Sequence, residues 1–117
     1  MLTPITYIDN RLEVITCWKA YVASLLRCES NLLRNVWIEQ TWRQVLSDER
    51  MTIIIISDGG QKYDRGAFGW VIGMQMKMIA TNQGIAQGNP MSSYRVEGYG
   101  KLSVLRFLIQ YMRFYKV

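Results

Sequence analysis

The feature that most constrains this chain is the segment 51–57, an uncharged run that contains four consecutive isoleucines. Side chains branched at Cβ are stiff and pack well on a pleated surface, so such a run favours a β-strand over a helix. Because the run is apolar on both alternating faces, we expect the strand to be buried. Asp58, Gly59 and Gly60 follow directly, and this composition predicts a tight turn at the strand end.

Two more strands are expected after that turn. Residues 67–76 place Phe68, Trp70 and Ile72 at a period of two, which is typical of a strand with one buried face. Residues 77–88 indicate a third strand of similar length. Short connections join the three strands, so we expect an antiparallel meander.

A long helix is expected to follow the meander. Ser92 or Ser93 is suited to cap it, because a serine oxygen can accept a hydrogen bond from the free amides of a first turn. The helical spacing of apolar residues continues to about residue 115. This spacing predicts an inner face made of Leu102, Leu105, Ile109 and Met112.

The first 48 residues have a helical pattern instead. Asp9 or Asn10 can cap a first helix over residues 11–28, and a second helix is expected to end near Ser47. Large aromatic and aliphatic residues recur at helical spacing through both segments. We therefore expect an α+β fold in two units: a helical hairpin over 1–48 and a β-β-β-α unit over 49–117.

Composition sets limits on the function. The 117 residues suit one domain of globular composition, with 50% hydrophobic and 20% charged residues. No apolar run approaches the roughly 18 residues that a membrane helix needs, and no basic segment leads into an apolar core near Met1. We therefore expect an intracellular protein, in the cytoplasm or nucleus, that is not secreted and does not contact membranes.

The residue types also exclude some chemistry. Histidine is absent, which rules out serine–histidine and cysteine–histidine nucleophilic catalysis within the chain. A zinc site is not expected either, because such sites usually need histidine or closely paired cysteines. Cys17 and Cys28 are eleven residues apart in a predicted helix, about 16 Å along its axis, which is too far for a disulfide.

The charge is unevenly distributed along the chain. Residues 1–50 carry six Lys/Arg and six Asp/Glu, whereas residues 51–117 carry eight Lys/Arg and three Asp/Glu, so the whole net charge of +5 lies in the second part. A basic segment attracts polyanions such as nucleic acid. The alternative is a solvated surface with scattered basic side chains.

Two acidic residues stand out by position. Asp58 ends the most hydrophobic strand, and Glu97 lies in the first turn of the last helix. A helix packed across the meander can bring these two points together. Carboxylates that meet repel each other unless a cation lies between them, and their hard oxygen atoms suit Mg²⁺. The pattern therefore predicts that the two side chains share a divalent ion.

Four pieces of sequence occur in a characteristic order. They are a strand end at 57–60, a glycine-rich strand at 66–72, a third strand at 84–88, and a pair of serines followed by Arg95 and Glu97 at 92–97. Over residues 52–110 this series resembles the N-terminal part of the ribonuclease H-like domain of retroelement (reverse transcriptase-type) polyproteins. The resemblance implies a truncated ribonuclease H-like fold and an RNA–DNA hybrid as the partner.

The resemblance also implies roles for individual residues. Asp58 and Glu97 match metal-binding, catalytic carboxylates of the family, with Mg²⁺ as the cofactor. Ser92 and Ser93 match the polar pair that contacts the nucleic-acid backbone, and Arg95 precedes the glutamate as in the family, where it orients that turn, binds phosphate or packs. Independently of the resemblance, the expected turn after Asp58 carries two basic residues, Lys62 and Arg65. Their side chains can contact the backbone of a nucleic-acid strand or remain solvated.

The family's site needs further carboxylates that this sequence does not match. They come from a fourth strand and from a later helix or loop, whereas the only other acidic residue after position 50 is Asp64, in the early turn. Two carboxylates hold Mg²⁺ weakly, because the ion gives up its waters reluctantly. We therefore expect little or no nuclease activity from this chain alone. We also expect an unpaired, apolar edge on strand 51–57 that is open to self-association.

Three other functions fit the same residues. Further sequence or a partner can complete a Mg²⁺-dependent nuclease that cuts RNA–DNA hybrids. A nucleic-acid-binding remnant uses the basic second part without chemistry. A helical interaction module uses three tryptophans as anchors: Trp18, Trp37 and Trp42.

Overall fold

The computed structural model describes residues 8–46, 52–62, 65–74, 77–86, 88 and 91–115. Its helices are α1 (Arg11–Ala23), α2 (Arg27–Leu33), α3 (Trp42–Leu46) and α4 (Ser93–Tyr115). Its strands are β1 (Trp37–Ile38), β2 (Ile54–Lys62), β3 (Arg65–Met74) and β4 (Lys77–Ala86). The protein therefore has the expected α+β organisation, with a helical N-terminal region, an antiparallel sheet and a C-terminal helix.

The sheet has four strands rather than three, in the order β1-β4-β3-β2. Strands β2, β3 and β4 form the predicted meander, and β1 adds to it by pairing Trp37 with Thr81 and Ile38 with Ala80. A strand of two residues is too short to leave a period-two pattern, which is why the sequence did not indicate it.

The predicted helical hairpin is wrong in its second half. Helix α1 starts as expected after Asn10, whose Oδ1 accepts hydrogen bonds from the amides of Leu12 and Glu13 at 2.9 and 3.2 Å. It ends at Ala23, and the second predicted helix is replaced by α2, β1 and α3. Helical spacing is a weak prior that tertiary packing overrides, and here packing buries Ile38 in a strand.

Strand β2 was expected to be buried, and this is wrong. It is an edge strand of the sheet. The four isoleucines of the run are 43–62% exposed: Ile54, Ile55 and Ile56 in the strand and Ile53 just before it. The expected turn at 58–60 is also wrong, because β2 pairs with β3 as far as Lys62 and Arg65. Local composition indicates a strand but not which elements cover it, and a glycine can serve close helix packing instead of a turn.

Helix α4 spans the predicted residues but buries a different face. The four residues predicted to face inward are 39–57% exposed: Leu102, Leu105, Ile109 and Met112. The buried side carries the larger aromatic residues of the helix, including Phe107, Tyr111 and Phe114. Aromatic rings bury more area than aliphatic side chains, so the aromatic face of α4 packs against the rest of the protein.

One hydrophobic cluster contains residues from both predicted units. Trp18 of α1 is only 2% exposed, and its ring meets the rings of Phe107 and Phe114 edge-on, with centroids 5.5 and 5.3 Å away. Phe107 in turn contacts Trp70 of β3, with centroids 4.8 Å apart. Burial raises the pKa of the nearby Tyr111, so its hydroxyl stays protonated in this apolar setting. The division at residue 48 stays a prediction, but its two sides share this core.

A buried polar network holds α4 against the sheet and α2. The hydroxyl of Ser103 accepts hydrogen bonds from Trp70 Nε1 at 2.8 Å and Asn82 Nδ2 at 3.0 Å, and it donates to the carbonyl of Leu32 at 2.9 Å. Ser103 is fully buried. Buried polar groups need partners, so this serine fixes the rotation of α4 about its own axis.

Replacing Ser103 with alanine should lower the free energy of unfolding by about 1–3 kcal/mol, because the buried indole N–H of Trp70 loses its acceptor. Urea unfolding followed by tryptophan fluorescence measures the change. Ser93→Ala is the matched control, since Ser93 is exposed and its loss should cost no more than about 0.5 kcal/mol. Equal losses in the two variants would contradict the role given to Ser103.

Candidate functional site

Asp58 and Glu97 line one small cavity beside the edge strand β2. The cavity has a volume of about 150 Å³, and Ser57, Gly100 and Lys101 complete its lining. Helix α4 comes close to β2 here: a Cβ atom on Gly100 would lie 3.9 Å from both the Asp58 carbonyl oxygen and the Ser57 Cβ. The structure thus brings the two predicted carboxylate residues to the same place in the fold.

The strand register separates the two side chains. Directly opposed residues of an antiparallel pair share a face. Asp58 therefore shares the outer face of the sheet with its partner Gly69, whereas Ser57 shares the helix-covered face with Trp70. Glu97 belongs to the helix on that covered face. The two carboxylates approach the cavity from opposite sides of the β2 edge, and Asp58 Oδ1 accepts a hydrogen bond from the Gly59 amide at 2.8 Å.

The cavity is at most a weak cation site. Mg²⁺ is commonly held through one or two carboxylates and keeps several waters. That Asp58 and Glu97 share such an ion stays a prediction. Lys101 brings a positive charge to the same lining, which opposes a cation. In the part of the chain that the structure describes, no group of three or more His, Cys, Asp or Glu residues is arranged to hold a metal.

Two glycines set the position of the α4 turn that carries Glu97. A Cβ atom on Gly59 would lie 2.4 Å from Val96 Cγ1, and one on Gly66 would lie 2.3 Å from Val96 Cγ2. Val96 is buried against the sheet, and Glu97 is its neighbour. The helix start can approach the β2–β3 hairpin this closely only because both positions lack a side chain. Glycine at position 59 is therefore a packing requirement rather than a turn.

Replacing Gly59 with alanine should push the first turn of α4 away from β2, because the added Cβ overlaps Val96. We expect a loss of about 1–3 kcal/mol in the free energy of unfolding, as for other overpacked sites. Gly60→Ala is the neighbouring control, since a Cβ there meets nothing within 4 Å. Thermal or urea unfolding compares the two variants, and a Gly60→Ala loss as large as that of Gly59→Ala would refute the explanation.

The predicted nucleic-acid contacts lie at two neighbouring points. Ser92 caps α4, as expected, because its Oγ accepts a hydrogen bond from the Arg95 amide at 3.2 Å. Ser93 and Arg95 are exposed on the same first turn. The other point is the end of the β2–β3 hairpin, where Lys62 and Arg65 are directly paired.

A hydrogen bond connects the hairpin end to the segment before α4. Gln61 Nε2 donates to the Met91 carbonyl at 3.0 Å. Just upstream of Met91, Gly88 has φ of +124°, and a Cβ there would lie 2.4 Å from Arg95 Nη1. The Arg95 guanidinium thus lies over Gly88, a position that the sequence alone did not indicate. These contacts hold the two groups of predicted residues close to each other.

A broad groove on the outer face of the sheet was not predicted. It has a volume of about 940 Å³, and its lining includes Asp58, Gly69 and Gln83, which lie side by side on β2, β3 and β4. Ile56 and Trp37 also line it. The small residues at alternate positions of β3 were the available signal, because alternation places them on one face. Asp58 therefore borders both this groove and the small cavity.

No protein-family model matches the chain, and no curated protein or solved structure is significantly similar to it. Within residues 8–46, 52–62, 65–74, 77–86 and 91–115, no helix is both long and apolar enough to cross a membrane. The ribonuclease H-like assignment therefore stays a prediction from sequence motifs.

Proposed function

We propose that this chain is a ribonuclease H-like fragment of retroelement origin that contacts RNA–DNA hybrids and does not cut them unaided. The observation that carries the proposal is that Asp58 and Glu97 line one cavity, where α4 crosses an antiparallel meander. The element order of meander and helix agrees with the order that the sequence resemblance implies. The fold class alone would allow many functions, and the presence of Asp58 and Glu97 at one cavity favours this one.

The same cavity explains why the chain should bind rather than cut. Cleavage of a phosphodiester with two divalent ions needs several carboxylates to hold them and to stabilise the attacking and leaving oxygens. The cavity offers Asp58 and Glu97, and its third charged residue is Lys101. The ammonium group of Lys101 can donate a hydrogen bond to a phosphate oxygen, and its charge disfavours a metal ion at that position.

Phosphate contacts are available on either side of the cavity. The amides at the start of α4, a helix of 23 residues, suit an anion, and the hydroxyls of Ser92 and Ser93 add polar contacts. Lys62 and Arg65 extend the basic surface along the hairpin end. All the net positive charge of the sequence lies after residue 50, which favours a polyanionic partner.

Binding of a short fluorescent RNA–DNA hybrid tests the proposal. Fluorescence anisotropy should detect binding that weakens as salt is raised, and gel analysis should detect no cleavage with Mg²⁺ present. The variant Asp58→Asn/Glu97→Gln should bind about threefold more tightly in the absence of Mg²⁺, because two charges that repel phosphate are removed. Adding Mg²⁺ should tighten binding by the original protein, because the ion offsets the charge of the two carboxylates, and the double variant should lose this Mg²⁺ dependence.

The matched control is Asp9→Asn/Glu13→Gln, which removes the same charges from an exposed part of the chain. This control should keep the affinity and the Mg²⁺ dependence of the original protein within about twofold, because neither residue lines the cavity and salt screens exposed charges. Equal behaviour of the two double variants would show that the cavity has no special role. Failure to bind the hybrid at low salt would reject the proposal.

A nuclease completed by another chain is the second candidate, and the exposed edge of β2 favours it. Edge strands are usually short, charged or covered, whereas this one exposes a row of isoleucines. If a second copy completes the site, Mg²⁺-dependent cleavage of the hybrid should rise with the square of the protein concentration. Asp58→Asn should abolish that cleavage, and linear or absent activity at all concentrations would exclude this candidate.

A further inference from the structure

A second concave surface lies between α2, the end of β4 and the side of α4. It has a volume of about 610 Å³ and shares no residue with the Asp58–Glu97 cavity. Its polar lining includes two arginines and two asparagines: Arg27, Arg34, Asn31 and Asn35. Among the residues that the structure describes, no acidic residue lines it. We call this surface the arginine concavity, and we propose that it binds the phosphates of a single-stranded nucleic acid.

The arginines are regularly placed along α2. Arg27, Asn31 and Arg34 are spaced i, i+4 and i+7, and Arg34 keeps helical backbone angles as the C-cap (φ −68°, ψ −19°). Residues with this spacing lie on one side of a helix. The rise between Arg27 and Arg34 is about 10.5 Å. A nucleic-acid strand advances about 3.4 Å per nucleotide in a duplex and more when extended, so the pair can reach phosphates two or three nucleotides apart.

The electrostatics favour an anion. Glu29, the acidic residue of α2, is bound on the other side of the helix by Arg106 and by Gln110, whose Nε2 is 2.9 Å from Glu29 Oε2. Its negative charge is therefore neutralised away from the arginine concavity. Among the described residues, neither Arg27 nor Arg34 forms an ion pair with a carboxylate. Two exposed guanidinium groups without an internal partner are suited to phosphate oxygens.

An aromatic ring makes a single strand the preferred ligand. Tyr99 is half-buried and stacks on Phe68, with centroids 6.2 Å apart and an angle of 20° between the ring planes. Tyr99 also lines the arginine concavity, beside Leu102. A base can stack on such a surface only if it is not held in a duplex, and aromatic rings beside a basic groove are the usual device for binding single strands.

The test compares two double variants that remove the same charge. Arg27→Gln/Arg34→Gln changes the arginine concavity, and Arg43→Gln/Arg113→Gln changes two other exposed arginines. Anisotropy of a labelled single-stranded oligonucleotide should show binding at least about tenfold weaker for the first variant and within about twofold for the second. The slope of log affinity against log salt should fall by about 1.4 for the first variant, at about 0.7 for each lost phosphate contact.

Further measurements distinguish single-strand binding at the arginine concavity from nonspecific binding of anions. Tyr99→Leu should weaken binding of the oligonucleotide but leave its salt dependence unchanged, as expected for a stacking contact. The proposal fails if both double variants weaken binding equally, if inorganic phosphate binds as tightly as the oligonucleotide, or if a glutamate-rich peptide of equal charge does so. Because Asp58 and Glu97 are untouched, the result is independent of the hybrid-binding test above.

Discussion

Replacing Trp18 with alanine should lower the free energy of unfolding by about 3–5 kcal/mol, the usual cost of removing a large buried aromatic side chain. The ring is 2% exposed and contacts the rings of Tyr21, Phe107, Tyr111 and Phe114. A domain of this size is stable by about 5–15 kcal/mol, so the variant should be largely destabilised or unfolded. Circular dichroism and urea unfolding measure the effect.

A second tryptophan provides the comparison. Trp37 is 39% exposed, lies under the Arg11 guanidinium and donates a hydrogen bond to Glu39. Trp37→Ala should cost about 1 kcal/mol or less, because exposed contacts of this kind contribute little. If Trp18→Ala were equally mild, α1 would not share a core with the sheet, and the chain would behave as two units divided near residue 48.

Placing lysines on the edge strand should prevent self-association of the protein. Ile54 and Ile56 lie on the outer face of β2 and are 53% and 62% exposed. We expect the unaltered chain to self-associate through this edge, and Ile54→Lys/Ile56→Lys to raise the dissociation constant at least about a hundredfold, since lysine on an edge strand blocks pairing. Analytical ultracentrifugation over a range of concentrations measures the change.

Exposed apolar residues of helix α4 provide the control for nonspecific hydrophobic association. Leu102 and Ile109 are also exposed, but they lie on a helix rather than on a strand edge. Leu102→Lys/Ile109→Lys should leave the self-association within about threefold, because it removes apolar surface without touching free backbone groups. A loss of association equal to that of the β2 variant would mean that exposed apolar area, and not strand pairing, holds the copies together.

Local signals in the sequence predicted the elements better than their surroundings. The alternation of Phe68, Trp70 and Ile72 and the cap at Ser92 depend on neighbouring residues in the chain, and β3 and the start of α4 agree with them. Burial of β2 and the inner face of α4 depend on which distant residues arrive there. The open edge of the isoleucine strand was expected, and β2 does lie at the edge of the sheet. The run itself does not indicate whether another element covers its faces, so the exposure of the isoleucine side chains was not predicted.

The candidate site was predicted in the same partial way. A meander followed by a crossing helix was sufficient to bring Asp58 and Glu97 to one cavity. The face on which Asp58 lies follows from the pairing register with Gly69, and the sequence placed a turn there instead. Lys101 was missed because its position depends on how α4 is rotated, which the buried hydroxyl of Ser103 determines.

The open side of β2 and the cavity occupy the same stretch of the molecule. Neighbouring strands in a sheet run about 4.8 Å apart, so any segment that docks along this side must pass within that distance of Ser57 and Asp58. The side chains of such a segment would alternate between the two faces of the sheet. Every second one would point toward the face that α4 covers, where Glu97 and Lys101 line the cavity. A segment that docks there would therefore complete the lining of the cavity. The charge of one side chain of that segment would determine whether the cavity favours a cation or an anion.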